Sequence, residues 1–179
     1  LPIQAQFSPI YGIIKTDING DEFDDFILVG NDFGLEPNQG RADAFNGLVL
    51  ENTGEKKFKV LDLDQTNFLV SGDAKSLVKL TQKNNQILYI ASQNNDSLKV
   101  YKINKNLLNY KVVNWREGEF KCKIYYFNQI SKIIFRNDNQ SFQSQSTENF
   151  KINDKVKSID FFSNTDLLLR TLINKPDSL

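Results

Sequence analysis

Short apolar runs separated by turns rich in Asn, Asp and Gly recur along this 179-residue chain, and few stretches carry the 3.6-residue spacing of an amphipathic helix. In the first half the runs are YGIIK at 11–15, FILVG at 26–30, GLVLEN at 47–52, FKVLDL at 58–63, SLVKL at 76–80, ILYIAS at 87–92 and LKVYKI at 98–103. Between them ENTGEKKF and QKNNQ have hairpin composition, with Gly54 or an Asn pair available for a positive φ. Runs at this spacing predict an antiparallel all-β meander.

From about residue 105 the alternation becomes stronger, in VVNWREGEFKCKIYYF, SKIIFRND, FKIND and VKSIDFF. This reads as a second, small antiparallel β module of hairpins, with REGE at 116–119 as one turn, and LLLRTLI as a final strand or a short helix. KINKNLLNYK offers the polar turn residues for a boundary near 104–110, giving a first domain at 1–104 and a second at 105–179.

A weak repeat runs through the first domain. IIKTDINGDEFDDFILVGND, ending at Asp32, parallels LVKLTQKNNQILYIASQNND, ending at Asp96, as strand, polar loop, strand and Asn/Asp turn. Units that cannot bury both sheet faces alone must stack on neighbours, as propeller blades and solenoid repeats do.

The polar loop of the first copy is the richest chemistry in the chain. DINGDEFDD at 17–25 places Asp17, Asn19, Asp21 and Asp25 at positions 1, 3, 5 and 9, with the Phe23 carbonyl at position 7. Oxygen donors at alternate residues of a curling backbone converge on one point, which suits a hard cation such as Ca²⁺. Asp, Asn and Gly are also ordinary turn formers, but the regular spacing around Gly20 favours a metal site over a plain solvated turn. Position 6, usually glycine so that φ can be positive, is Glu22, which predicts a modest strain cost. The second copy has Thr81, Gln82, Lys83, Asn84 and Asn85 there, a set without carboxylates. The apolar run after the loop points to a buried strand and not to the helix that follows an EF-hand loop.

The stretch 31–47, NDFGLEPNQGRADAFNG, is long for a hairpin connection, and such loops are often functional. Glu36, Arg41 and Asp43 are near enough for an internal ion pair; otherwise Glu36 or Asp43 adds an oxygen to the cation, or Arg41 and Phe45 face a partner.

Charge removes several alternatives. With 22 basic and 22 acidic residues the net charge is zero, so no overall field draws in nucleic acid or an anionic membrane. The halves differ: residues 1–104 hold 10 basic and 14 acidic side chains, net −4, and 105–179 hold 12 and 8, net +4. The basic half carries Trp115, Tyr125 and Tyr126, but lysines spread over alternating strands read as a solvent face and the aromatics as core. Histidine is absent, and neither a nucleophile motif nor zinc-ligand spacing occurs. Asp24 with Asp25, or Glu117 with Glu119, could supply a carboxylate pair for glycoside hydrolysis, although acids so close in turns are commonly solvated. The lone Cys122 cannot form an internal disulfide and reads as a small strand residue. No run approaches a membrane span, and a start at LPIQAQFSPI without methionine is read as a fragment or processed product, soluble or anchored elsewhere.

LPIQAQFSPIYGIIKTDINGDEFDDFILVGN resembles the strand, calcium loop and strand of an FG-GAP or VCBS-type repeat, patterned Asp-x-Asn-Gly-Asp-Gly-x-x-Asp. EPNQGRADAFNGLVLENTGEKKF, FLVSGDAKSL at 68–77 and IASQNNDSLKVYK at 90–102 extend the likeness to about residue 103, and SFQSQSTENFKIND with VKSIDFF extends it more loosely. Together they resemble the end of the repeat array in bacterial cell-surface proteins that carry an ASPIC/UnbV-like C-terminal region. The resemblance implies terminal blades of a calcium-binding β-propeller followed by a small antiparallel β module, with Asp17, Asn19, Asp21, the Phe23 carbonyl and Asp25 as Ca²⁺ ligands. It also implies a non-enzymatic binding or scaffolding module at the extracellular or outer-membrane surface of a bacterium, with protein partners in an assembly there, or a glycan, and no nucleic acid. The alternative expectation is an accessory part of a glycan-active enzyme whose catalytic residues lie elsewhere.

Overall fold

In the computed structural model, which describes residues 1–55, 57–84, 86–102, 110–136 and 144–174, the chain is all-β, with four antiparallel sheets and almost no helix. It divides into two compact units, Leu1–Lys105 with Ser141–Thr147, and Asn106–Gln140 with Glu148–Leu179. The stretch 104–110 expected to hold the boundary lies, apart from Tyr110, outside the described residues. Among the described residues no helix is long and apolar enough to cross a membrane.

The first unit opens with β1 (Ile10–Thr16), β2 (Asp25–Gly30), β3 (Leu48–Asn52) and β4 (Phe58–Leu61), which pair in sequence order as a four-stranded meander. A second meander holds β5 (Ala74–Thr81), β6 (Ile87–Gln93) and β7 (Lys99–Lys102). The sequence repeat corresponds to the hairpins β1/β2 and β5/β6. Side chains alternate across a strand, and in β2 both sets are buried. Ile27 and Val29 join Ile14, Val49, Leu77, Tyr89 and Ala91 in a core between the two sheets. Leu28 packs on the opposite face with Leu48 and Leu50, under Ala5 from the 3-10 turn Ile3–Gln6 and Phe45 from the long loop.

Two local features let the sheets close together. Gly12 leaves room for β5: a Cβ there would lie 2.6 Å from Leu77 Cβ and 2.8 Å from its backbone nitrogen. A bulge at Tyr11, between the pairs Ile10↔Gly30 and Gly12↔Val29, interrupts the alternation, so that Ile10 packs with Leu28 and Leu50 while Gly12 and Ile14 face the core between the sheets. The outer edge of β5 is covered by a strap from the same unit. Ser144 Oγ, Ser146 Oγ and Thr147 Oγ1 accept the N–H groups of Leu77, Lys79 and Thr81 at 3.2, 2.9 and 2.9 Å.

The run FKVLDL leaves the sheet earlier than its apolar pattern predicts. Strand β4 stops at Leu61, and α1 (Leu63–Thr66) follows, its start tied by the Asp62 N–H donating to Gln65 Oε1 at 3.0 Å.

In the second unit, β8 (Lys111–Asn114) pairs with β11 (Asn149–Ile152), while β9 (Lys121–Tyr126), β10 (Ser131–Phe135), β12 (Val156–Phe162) and β13 (Leu168–Ile173) form a sheet in the order β10-β9-β12-β13. LLLRTLI is thus a strand. Val113, Cys122, Ile124, Ile152, Ile159 and Phe161 make its core, with Trp115 and Tyr126 packed against them. Beside Phe161, Arg170 is fork-bonded to buried Glu119: Nη2 donates to Oε2 at 3.0 Å and Nε to Oε1, and the guanidinium lies 3.9 Å from the Phe161 ring centroid.

Candidate metal centre

The DINGDEFDD loop joins β1 to β2, beyond the last ladder pair Thr16↔Asp25. Its acidic side chains act first as acceptors for the loop's own backbone. Asp17 takes the N–H of Gly20 on Oδ1 at 2.5 Å and that of Glu22 on Oδ2 at 3.1 Å. Asp21 Oδ1 takes the N–H of Phe23 at 2.9 Å, and Asn19 Oδ1 that of Asp21 at 3.0 Å. Asp25, fully buried at the start of β2, receives Ile18 N–H on Oδ2 and Asn52 N–H on Oδ1, each at 2.7 Å. One carboxylate therefore ties the loop both to itself and to the end of β3.

The curl requires left-handed backbone at two residues, Gly20 with φ 85° and Glu22 with φ 76°. A glutamate thus occupies the conformation that glycine adopts without cost. Phe23, 47% exposed, lays its ring against the turn at Gly54, where an added Cβ would meet it at 2.9 Å. That turn also needs glycine for its φ of 81°.

Burial pushes the Asp25 carboxyl above its ordinary range; the two N–H donors oppose this, and the charges of Asp21 and Asp17 add to it. The three aspartates are therefore close enough to repel one another in a partly desolvated place. Among the described residues, no three acidic or thiol side chains already stand gathered as an ion would require. The donor chemistry nevertheless fits Ca²⁺: every side-chain donor is oxygen, three are carboxylates, and each oxygen accepting one N–H keeps a second lone-pair direction.

The residues proposed to assist from the 31–47 loop behave differently. Phe45 is 2% exposed and packs in the core, so it is not presented to a partner. Its apolar bulk fills the gap over Leu28 and Leu50, which outweighs any exposed role. Glu36, Arg41 and Asp43 are exposed, and no ion pair forms among them. Arg41 instead sits 5.0 Å from the Phe33 ring centroid. The acidic side chain that does reach the 17–25 loop is Glu51 of β3, whose Oε1 accepts from Asn19 Nδ2 at 2.8 Å, and the same amide donates to Asp21 Oδ2 at 2.8 Å.

The candidate carboxylate pairs separate. Asp24 turns to Lys15 at 3.3 Å while its neighbour Asp25 is buried. Glu119 is held by Arg170 and by Arg116 N–H at 2.7 Å, whereas Glu117 is exposed. Of the aromatics considered for nucleic acid, Trp115 packs on Phe150 and Phe161 at 5.4 and 5.7 Å between centroids.

A second polar centre, absent from the sequence reading, joins the two sheets of the first unit. Asn31, fully buried with φ 89°, donates to the carbonyls of Phe45, Ser71 and Gly72 at 2.6, 3.1 and 3.1 Å and accepts from Phe45 N–H at 3.0 Å. Beside it Lys75 bridges Asp73 at 2.7 Å and Asp32 at 3.5 Å and lies 4.1 Å from the Tyr11 ring centroid. Tyr11 donates its hydroxyl proton to Asp32 at 2.8 Å, which raises the phenol's pKa. The signal was the Asn–Asp step that ends both repeat copies: Asn95, aligned with Asn31, also has positive φ, at 57°.

No protein-family model matches the chain, and a comparison with curated proteins finds no match.

Proposed function

We propose that this chain is a non-enzymatic binding or scaffolding module of the bacterial surface, outer-membrane or extracellular, serving protein partners in an assembly, with its first unit built from propeller-type blades. The observation that carries the reading is the loop at 17–25: three aspartates share one curl closed on buried Asp25, whose negative charge is disfavoured where it stands. A bound Ca²⁺ would supply positive charge there and offset that repulsion, so its binding free energy would add to folding free energy. Asp17, Asn19, Asp21, the Phe23 carbonyl and Asp25 would hold it. Asp17 and Asp21 shape the curl through the N–H groups they accept, and Asp25 fastens it to β3. Propeller-type organisation is supported by the four-stranded meander, the repeated hairpin facing it and the close approach at Gly12.

The test is a thermal melt with EGTA and with millimolar Ca²⁺, the range in which extracellular Ca²⁺ modules work, with dissociation constants of about 10⁻⁴ to 10⁻³ M. Ca²⁺ should raise the melting temperature and Asp21→Ala should remove most of that rise. An unchanged melting temperature at millimolar Ca²⁺ would defeat the proposal.

A further inference from the structure

The two sheets of the first unit are copies of one pattern, but they are not equally complete. In the first, β4 lies on the outer edge of β3, in the register Val49↔Leu61, Leu50↔Val60, Glu51↔Lys59 and Asn52↔Phe58. The repeat maps β1 and β2 onto β5 and β6, β3 and β7 follow as the third strand of each sheet, and among the described residues no strand lies in the second sheet where β4 lies in the first. Among the described residues only β6 pairs with β7, and the apolar side chains at and beside it are open, with Leu98 63% and Val100 55% exposed. Its inner side is anchored, with Tyr89 opposite Tyr101, the Tyr101 ring 4.7 Å from that of Phe68, and the Tyr101 hydroxyl donating to the Leu69 carbonyl at 2.5 Å. A fixed strand whose outer edge no described residue pairs is a template for strand addition.

We infer that the outer edge of β7 receives a fourth, antiparallel strand from a partner protein, and that this strand carries the pattern acidic, apolar, apolar, acidic. Charge sets the pattern. The edge strand reads Lys99, Val100, Tyr101, Lys102, so an antiparallel neighbour places its four residues opposite Lys102, Tyr101, Val100 and Lys99 in turn. Carboxylates opposite the lysines and apolar side chains opposite the middle pair are the favourable cross-strand choices. The completed sheet uses the same device, with Lys59 of β4 4.0 Å from Glu51 of β3.

The same charges speak against a second copy. Two β7 strands paired about a two-fold axis would set Lys99 against Lys102 at both ends, which is repulsive. Nowhere in the 179 residues do two apolar residues stand directly between two acidic ones, so this chain holds no strand of the required pattern. The inference does not rest on Ca²⁺ and stands or falls apart from the metal reading.

The experiment titrates the intact chain with a fluorescent peptide containing Glu-Val-Val-Glu between short Gly/Ser arms, and in parallel with its Lys-Val-Val-Lys counterpart. Anisotropy reads binding, and amide hydrogen exchange reads β7. The acidic peptide should bind saturably and slow exchange across residues 99–102, while the lysine peptide should not. Lys99→Glu with Lys102→Glu should weaken the acidic peptide by roughly tenfold or more and transfer preference to the lysine peptide, because two attractive pairs become repulsive. Unchanged circular dichroism checks that this variant folds. Binding of both peptides alike, binding of neither, or binding without slowed exchange in β7 overturns the inference. So does a β7 edge already protected in the free chain, which would mean that the chain covers it, alone or as a dimer.

Discussion

Asp25 separates the structural role of the 17–25 loop from the Ca²⁺ binding proposed for it. In Asp25→Ala the N–H groups of Ile18 and Asn52 lose their acceptor in a place closed to solvent. Each buried N–H left unmet costs about 1–3 kcal/mol, so the pair costs roughly 2–6 kcal/mol. Removing a carboxylate whose charge is disfavoured there returns part of this, and the net loss in EGTA is expected at about 2–4 kcal/mol. Asp25→Asn keeps one oxygen acceptor and loses about half as much. If the loop binds Ca²⁺ with a dissociation constant of about 10⁻⁴ M, wild type gains about 1.4 kcal/mol at 1 mM Ca²⁺, a gain both variants lack. Urea unfolding measures both terms. The single tryptophan, Trp115, belongs to the second unit, so its emission follows that unit, far-ultraviolet circular dichroism follows both, and the part of the dichroism change that the tryptophan curve does not share reports the first unit. A wild-type midpoint in Asp25→Ala without Ca²⁺ refutes the anchoring role. A full Ca²⁺ response in Asp25→Asn refutes its place among the ligands.

Further outcomes concern the second unit. Glu119→Gln should destabilise it by about 3–5 kcal/mol, since it leaves the mostly buried Arg170 without its counter-charge; an unmoved tryptophan transition would show that the pair is dispensable. Cys122, fully buried, has its thiol pushed up from an ordinary 9.0 to about 12, chiefly by burial. It should therefore ignore thiol reagents at pH 8 until the unit unfolds. The protonated thiol's contribution is fully present below pH 9.0 and is lost as pH rises towards about 12. Alkaline urea midpoints should fall over that window in wild type and fall less in Cys122→Ala, with parallel curves counting against the assignment.

Strands were legible in the sequence because apolar runs bounded by turn residues are a local signal. VKSIDFF coincides with β12, and SLVKL and ILYIAS fall within β5 and β6. The misread segments are those in which a polar group works at a distance. Leu63 looks like the last residue of a strand, yet the Asp62–Gln65 contact turns the chain into α1 before it. Phe45 sits in a loop composition that suggests exposure, and only the second sheet face, with its own core, explains its burial. Glu51 lies in a run of ordinary strand residues and meets Asn19 only through the β2/β3 pairing. Asn31 needed both the backbone twist at its own position and three carbonyls brought from residues 45, 71 and 72. Period and composition carry none of these, because each depends on which strands become neighbours.

The two copies of the hairpin loop show what the acidic residues do before any ion is considered. In the shorter loop, between the ladder pair Thr81↔Ile87, a backbone bond from Gln82 N–H to the Gln86 carbonyl at 2.8 Å closes the turn. The longer loop beyond Thr16↔Asp25 is closed by carboxylates instead: Asp17, Asp21 and Asp25 together accept the N–H groups of Ile18, Gly20, Glu22, Phe23 and Asn52. Neutral hydroxyls or amides would also accept such bonds but more weakly, since an ionised acceptor makes roughly twice as strong a hydrogen bond. The cost of the stronger acceptors is mutual repulsion at Asp25, where burial leaves little water to screen it. A loop built this way holds its shape through backbone contacts, and among the described residues no cationic side chain forms an ion pair with Asp17, Asp21 or Asp25. That residual charge, more than the count of acidic residues, is why a divalent cation is the partner proposed for the first copy and none is proposed for the second.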